Sequence, residues 1–462
     1  MSTVQSSVAP TVNLEVVPSN IQSNGIISYR DGNPIIQFII GEQARGLVGR
    51  SVRLVGDFAV RNNTGDGDDS YVDPDDDTFM NNRLGIYNVI DRLVIKSQVT
   101  HQTIEDIKFY NRFCSSFIPI LNSLGDMTGH LSNTALIMPN FAAFKDSVLA
   151  IPSQRGSGNS FCAHLPCGLF NGLTAPIPLM ATKGLLVEIH LAPDQSVLYT
   201  QDGSSGPLAN SYYELRDVRL CCEAVNMDSA TSGTFEYNSI SSYYTSINST
   251  NAVLNFNLGL SRVLGAFMNF LPAQNINNLR CDGMSTSNLL GAGNSYGQGA
   301  SNDFPAFITQ CVFMKGAQRF PLEYNLDLLQ ADKPNDLGNT GTQNNSVDGS
   351  LQRNFMDSVQ SFSTIGRSAV SRDNTYYMIP EGQLSQTDSI GGYDKGVING
   401  GGVHGVGIAY DSISDQGQNF STDNWGVNMT TGLTKDTPHS VFLFIHAKQT
   451  LTFNQGGVQV VS

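Results

Sequence analysis

Charge is what this sequence has little of. Only 14% of its 462 residues are Asp, Glu, Lys or Arg, and 40 acidic side chains outweigh 26 basic ones, for a formal net charge of −14. A chain that coats nucleic acid needs clustered Lys and Arg to release counterions from phosphates, so no direct, sequence-specific nucleic-acid binding is expected. No basic arm compensates, because the first thirty residues carry one Arg, Arg30, and no Lys. The opening stretch, MSTVQSSVAPTVNLEVVPSN, has neither the charged start nor the apolar centre of a secretory signal. Long hydrophobic runs are missing too: stretches such as 263–268 are far too short to span a bilayer.

Catalytic signatures are absent as well. There is no GxSxG elbow, P-loop, HExxH, CxxC pair or EF-hand ladder. The glycines at 400–402 do not lead into a helical pattern, which rules against a phosphate cradle. The seven histidines (His101, His130, His164, His190, His404, His439, His446) are scattered, and His190 and His446 read as core or interface residues in mid-strand. Seven cysteines (Cys114, Cys162, Cys167, Cys221, Cys222, Cys281, Cys311) without a leader read as reduced, buried thiols of an intracellular product. Cys162, His164 and Cys167 form CAHLPC, which lacks the second Cys/His pair of a zinc site.

An acidic loop at 61–77 gathers Asp66, Asp68, Asp69, Asp73, Asp75, Asp76 and Asp77. Its oxygens have the spacing to attract Ca²⁺, but the terminal Glu of an EF-hand is missing, and a solvated, self-repelling loop is the expectation. Sequons at Asn62, Asn248, Asn344, Asn419 and Asn428 are the chance products of Asn-rich loops. No catalytic, cofactor-binding or metal-ligating residue is assigned, and no cofactor is expected.

What replaces charge is Gly (45 residues) together with Asn, Ser and Thr, the residues of long ordered loops between short strands. A surface poor in charge is also easier to bury against copies of itself. The chain is long enough to split into two cores. Two stretches, 184–192 (GLLVEIHLA) with 212–226 (YYELRDVRLCCEAVN), and 440–453 (SVFLFIHAKQTLTF) with 456–462 (GGVQVVS), read as paired strands that close a domain, once mid-chain and once at the end. The pattern predicts an all-β chain with a polar arm at 1–32, a first domain at 33–228 and a second at 229–462. Further strands are expected at 33–40, 51–60, 86–97, 251–257, 261–270 and as a pair around Gly316. A helix is predicted at 103–121 (TIEDIKFYNRFCSSFIPIL), with Glu105 and Asp106 in its first turn, and a short one at 351–362. Loops at 330–349 and 391–405 carry almost no core residues, as projecting surface loops do.

GLLVEIHLAPDQSVLY, YYELRDVRLCCEAVNMD and 320–327 (FPLEYNLD) resemble, in pattern and strand order, the double jelly-roll major capsid proteins of tailless icosahedral DNA viruses of the polinton-like and virophage type. The resemblance spans about 30–460. It implies two tandem eight-stranded jelly rolls, a homotrimeric capsomer of pseudo-hexagonal outline, and a shell in which capsomers tile. Its implied partners are further copies of the chain, penton and minor capsid proteins, and an internal membrane beneath the shell. The chain would be made and assembled inside the host cell and reside in the virion. Two rivals share the composition: a trimeric fibre or spike that binds a receptor through Gly/Asn loops, and a jelly-roll carbohydrate-active enzyme. The enzyme would need two carboxylates in an aromatic groove, and one Trp, Trp425, is few for stacking sugars. Removing residues 1–28 is expected to leave a folded trimer and to impair shell formation.

Overall fold

The computed structural model describes residues 11–462 apart from 21–24, 64–68, 72–77, 122–129, 138–148, 151–158, 201–210, 228–231, 280–307, 326–356, 363–405, 411–416, 432–434 and a few isolated loop positions. Seventeen principal strands organise it. The first half contributes β1 (Thr11–Val16), β2 (Ile35–Ile40), β3 (Gly46–Asn63), β4 (Ile90–Ser97), β5 (Thr103–Lys108), β6 (Asn159–His164), β7 (Leu185–Leu191) and β8 (Ser211–Val225). The second contributes β9 (Gly233–Ile247), β10 (Asn251–Phe256), β11 (Val263–Pro272), β12 (Ile308–Lys315), β13 (Gln318–Asn325), β14 (Val406–Ala409), β15 (Trp425–Thr431), β16 (His439–Asn454) and β17 (Gly457–Val461).

In the first half, β1-β8-β3-β6 lie in one sheet and face β5-β4-β7-β2 in another. In the second, β10-β15-β12-β13 face β14-β11-β16-β9. Four strands face four in each half, so each is an eight-stranded sandwich. The inner strands alternate as half-buried strands must. In β2, Ile36, Phe38 and Ile40 point inward and are almost fully buried, while Ile39 is 41% exposed. Their register partners Ile189, Val187 and Leu185 of β7 are fully buried beside them. Each such side chain contributes about 1.5–3 kcal/mol on leaving water.

The two sandwiches are not separate bodies. The sheet β14-β11-β16-β9-β5-β4-β7-β2 runs without interruption through both, joined where β9 meets β5 in parallel at Ser241 and Asp106. One face of its first part lines the first core. On the second part that same face carries Phe267, Phe442 and Phe444, which belong to the first core, whereas Val441, Leu443 and Ile445 on the opposite face belong to the second. Helix α1 (Tyr110–Leu121) supplies the cover, with Tyr110, Phe113, Cys114, Phe117 and Ile118 buried at helical spacing. Phe113 meets Phe444 edge-on at 5.4 Å and Phe362 at 5.7 Å. Arg112, 2% exposed, donates from Nη2 to Ile276 O at 3.2 Å and lies 6.0 Å from the Phe442 ring centre.

Several elements depart from the sequence expectation. The helix expected at 103–121 is a strand followed by a helix. Residues 103–108 pair with β4, and Phe109, in the left-handed region at φ 55°, turns the chain before α1 begins. Ile104 and Ile107 sit three apart, which mimics a helical stripe, but the edge of β4 captures the segment first. The strand expected at 86–97 begins at Ile90, after a 3-10 turn at Gly85–Val89. The arm at 1–32 is not wholly outside the fold: β1 pairs with β8 over six residues, Leu14 and Val16 pack on the first core, and Ile26–Ile27 pairs with β8 as well. Of the helix expected at 351–362, Asp357 and Gln360 are helical, with the Ser361 N–H bonded to Asp357 O at 2.9 Å; the rest falls mainly outside the described residues.

Candidate assembly surfaces

Four outward surfaces are built by this sheet arrangement. On the back of the first part of the long sheet, alternation turns Gln37, Glu188, Lys96, Arg92 and Asp106 outward around Val94. Glu188 accepts from Gln37 Nε2 at 3.0 Å and pairs with Lys96 at 2.6 Å, and Asp106 holds Arg92 through two hydrogen bonds of 2.7 and 2.6 Å. His190 stands beside this lattice, and burial together with the Arg92 charge lowers its pKa.

The outer face of β1-β8-β3-β6 is charged as well. Arg219 pairs with Glu15 at 3.3 Å, Ser160 donates to Asp57 at 2.6 Å, and Arg53 is exposed between His164 and Cys221, its register neighbours. By contrast, the outer face of the four-stranded sheet presents Asn251, Val253 (61% exposed), Asn255, Asn428, Thr430 and Gln310. Within β10 and β15 it carries no charge. Sheet backs of two different chemistries thus sit on one molecule.

The fourth surface is a groove of about 640 Å³ beside the first sandwich, lined by β1, β2, the turn after β2 and the end of β8. Val12 (57%), Ile39 and neighbouring Val17 (67%) are among the large hydrophobic side chains left exposed here. Ser19 and Asn20 cap part of the free edge of β2: the Ser19 N–H donates to Gln37 O at 2.7 Å, and Asn20 Nδ2 to Ile35 O at 2.6 Å. Such cover from a neighbouring segment is one way sheet edges are kept from indiscriminate pairing.

The chemistry weighed from sequence finds these positions. Cys162 and His164 lie half-buried on β6, whereas Cys167 is fully buried and accepts the Phe170 N–H at 3.3 Å, so CAHLPC is pulled apart between a surface and a core. Among the described residues no group of three or more His, Cys, Asp or Glu is placed to hold a metal ion. Residues 61–63 of the expected acidic loop end β3 and pair with 69–71; of its aspartates only the backbone of Asp69 is described, and Asp66, Asp68, Asp73, Asp75, Asp76 and Asp77 lie outside the described residues, as does His404. His446 is 1% exposed and hydrogen-bonded through both ring nitrogens. The sequence hid two features that matter here, the buried carboxylate of Glu105 and the aromatic seam under α1, because both were absorbed into a single expected helix.

No family model and no curated protein matches the sequence. Solved structures do. VP54 of PBCV-1, fitted into a reconstruction of the virophage Sputnik, superposes with a TM-score of 0.56 at 11% identity over 100% of this chain and 99% of its own. The Faustovirus major capsid protein gives 0.56 at 8% identity, covering 98% and 92%. The structure of the Sputnik virophage gives 0.51 at 12% identity, covering 98% and 88%. At these identities the likeness is one of fold. The chain has the double jelly-roll fold of viral major capsid proteins, from end to end.

Proposed function

We propose that this chain is a viral major capsid protein, a structural subunit and not an enzyme, with its division between jelly rolls near residue 228. Three copies close into a pseudo-hexagonal capsomer, and capsomers tile an icosahedral shell in the virion of a DNA virus. The observation that carries this reading is the likeness in fold, over nearly the whole length, to capsid subunits.

Physical chemistry supports it. Among the described residues, sheet backs and parts of the sheet edges are left uncovered, and a closed ring of heterologous contacts is the economical way to bury them. Obligate interfaces of this kind exceed about 2,000 Å². Penton and minor capsid proteins would complete the shell at vertices and beneath capsomers, with a membrane inside as a further partner. The acidic balance keeps direct genome binding out of the mechanism.

The test is the native mass of the purified chain at micromolar and nanomolar concentration, with negative-stain images of the same sample. A persistent species at three times 49.9 kDa with pseudo-hexagonal outlines is expected. A monomer at micromolar concentration would overturn the trimeric reading.

A further inference from the structure

The apolar row of β1 runs out of cover before the strand does. Alternation puts Val12, Leu14 and Val16 on one face, opposite Ala224, Cys222 and Leu220 of β8 in register, all three of them buried. Leu14 and Val16 pack on the first core, yet Val12 on the same face stays 57% exposed. All three line the groove beside the first sandwich, together with Ile39, Ile40 and Gly41.

Across the groove, the edge of β2 is covered only in part. In a strand the N–H and C=O of one residue point to the same side, and those of the next residue to the other. Gln37 gives its N–H to Asn20 Oδ1 at 3.0 Å and accepts the Ser19 N–H at 2.7 Å, and Ile35 O accepts from Asn20 Nδ2 at 2.6 Å. Residues 35, 37 and 39 therefore face the free edge, while 36, 38 and 40 face β7. The cover stops at Gln37. Among the described residues nothing takes up the N–H and C=O of Ile39, whose side chain is 41% exposed. A residue with both groups open on a strand edge exchanges a pair of hydrogen bonds with one residue of an antiparallel neighbour. The missing partner is thus an extended segment with an apolar face.

Charge narrows the choice of partner. Arg45, at the rim, spends one nitrogen, Nη1, on Asn226 Oδ1 at 2.8 Å, which leaves other donors of its fork open. The one carboxylate among the lining residues, Glu15, is held by Arg219 at 3.3 Å. A chain of net charge −14 tends to repel its own copies. Here it offers them an apolar face whose free charge is positive.

We propose that a second copy of this chain docks in this groove, laying an extended segment antiparallel along Ile39 so that the long sheet gains a strand beyond β2 and Val12 is covered. This deepens, and rests on, the reading of the chain as a self-assembling subunit. The docking segment turns an apolar row to Val12 and Leu14 and brings a carboxylate to Arg45. Main-chain bonds to Ile39 fix its direction, and the apolar row supplies the burial. Groove and segment are different patches, so the contact is heterologous and closes by rotation.

The experiment is subunit exchange between isotopically labelled and unlabelled full-length protein, followed by native mass spectrometry. Ile39→Pro removes the open N–H, and a proline whose nitrogen faces the free edge leaves the ladder to β7 in place. Arg45→Glu reverses the free charge. Each variant is expected to exchange about ten-fold faster than wild type, or more, because weakened contacts show chiefly in the dissociation rate. Folded variants that exchange at the wild-type rate overturn the proposal and leave the trimeric reading standing. A wild type that is monomeric at micromolar concentration overturns both. Should Ile39→Pro not fold, as judged by Trp425 emission, Arg45→Glu and Val12→Asp decide by the same criterion, since neither touches β2.

Discussion

Trp425 is the single tryptophan, and its place in the fold makes it a reporter for one sandwich. It is fully buried in the second core, with Phe256 and Phe313 rings 6.0 Å away and its Nε1–H donated to the Tyr410 hydroxyl at 2.6 Å. Trp425→Phe keeps most of the ring surface but removes the donor, and urea unfolding should show a loss of about 1–3 kcal/mol. The cysteines offer a second residue-level test. Cys114, Cys167 and Cys311 are fully buried and their thiols are pushed up by burial, whereas Cys162 and Cys221 are half-buried on an outer sheet face. A thiol reagent applied to native protein should modify Cys162 and Cys221 well before those three, as peptide mass spectrometry will show. Labelling of Cys311 at the rate of Cys221 would contradict the second core as described.

At the scale of elements, the sequence was easiest to read where one face of a strand meets a core. The stretches 184–192 and 440–453 emerge as β7 and β16, because inward Leu, Val, Ile and Phe recur with period two or run continuously where both faces are covered. It was hardest to read where tertiary contacts decide. β5 and α1 blur into one helical pattern, since nothing local announces that β4 will pair with residues 103–108. β1 was invisible for a related reason: its partners Ala224, Cys222 and Leu220 lie some two hundred residues away. That strand changes the expectation for truncation. Removing residues 1–16 strips an edge from β8 and exposes the contacts of Leu14 and Val16, so thermal unfolding should register a loss of about 2–4 kcal/mol relative to the chain lacking only 1–10. Equal midpoints for the two truncations would show that β1 contributes nothing to the sandwich.

The whole molecule unfolds as its cores dictate. Because α1 of the first half seals the back of the sheet of the second, tryptophan emission (second core) and far-ultraviolet dichroism (all strands) should trace one coincident urea transition. Phe113→Ala leaves a cavity between α1, Phe444 and Phe362 and should cost about 3–5 kcal/mol, with the two probes separating as the sandwiches lose their common cover. Two separated transitions in wild type would mean that the shared sheet does not couple the halves. The surfaces proposed for assembly were not legible from composition beyond their poverty in charge, since which outward face holds ion pairs and which holds only amides is decided by strand register.

The close approach of a short helix, α2 (Gly168–Asn171), to β9 carries one more implication. A Cβ added at Gly168 would stand 2.5 Å from the Asn238 carbonyl oxygen, and one at Gly172 would run into the Asn238 side chain. Neither neighbour can yield without moving a strand that is paired along its whole length with β16. The two halves of this chain are therefore not free to diverge independently: at Gly168 the obstacle is backbone of the other half, which no substitution at position 238 removes, so that glycine is expected to persist, whereas a side chain acquired at Gly172 would have to be answered by a change at Asn238.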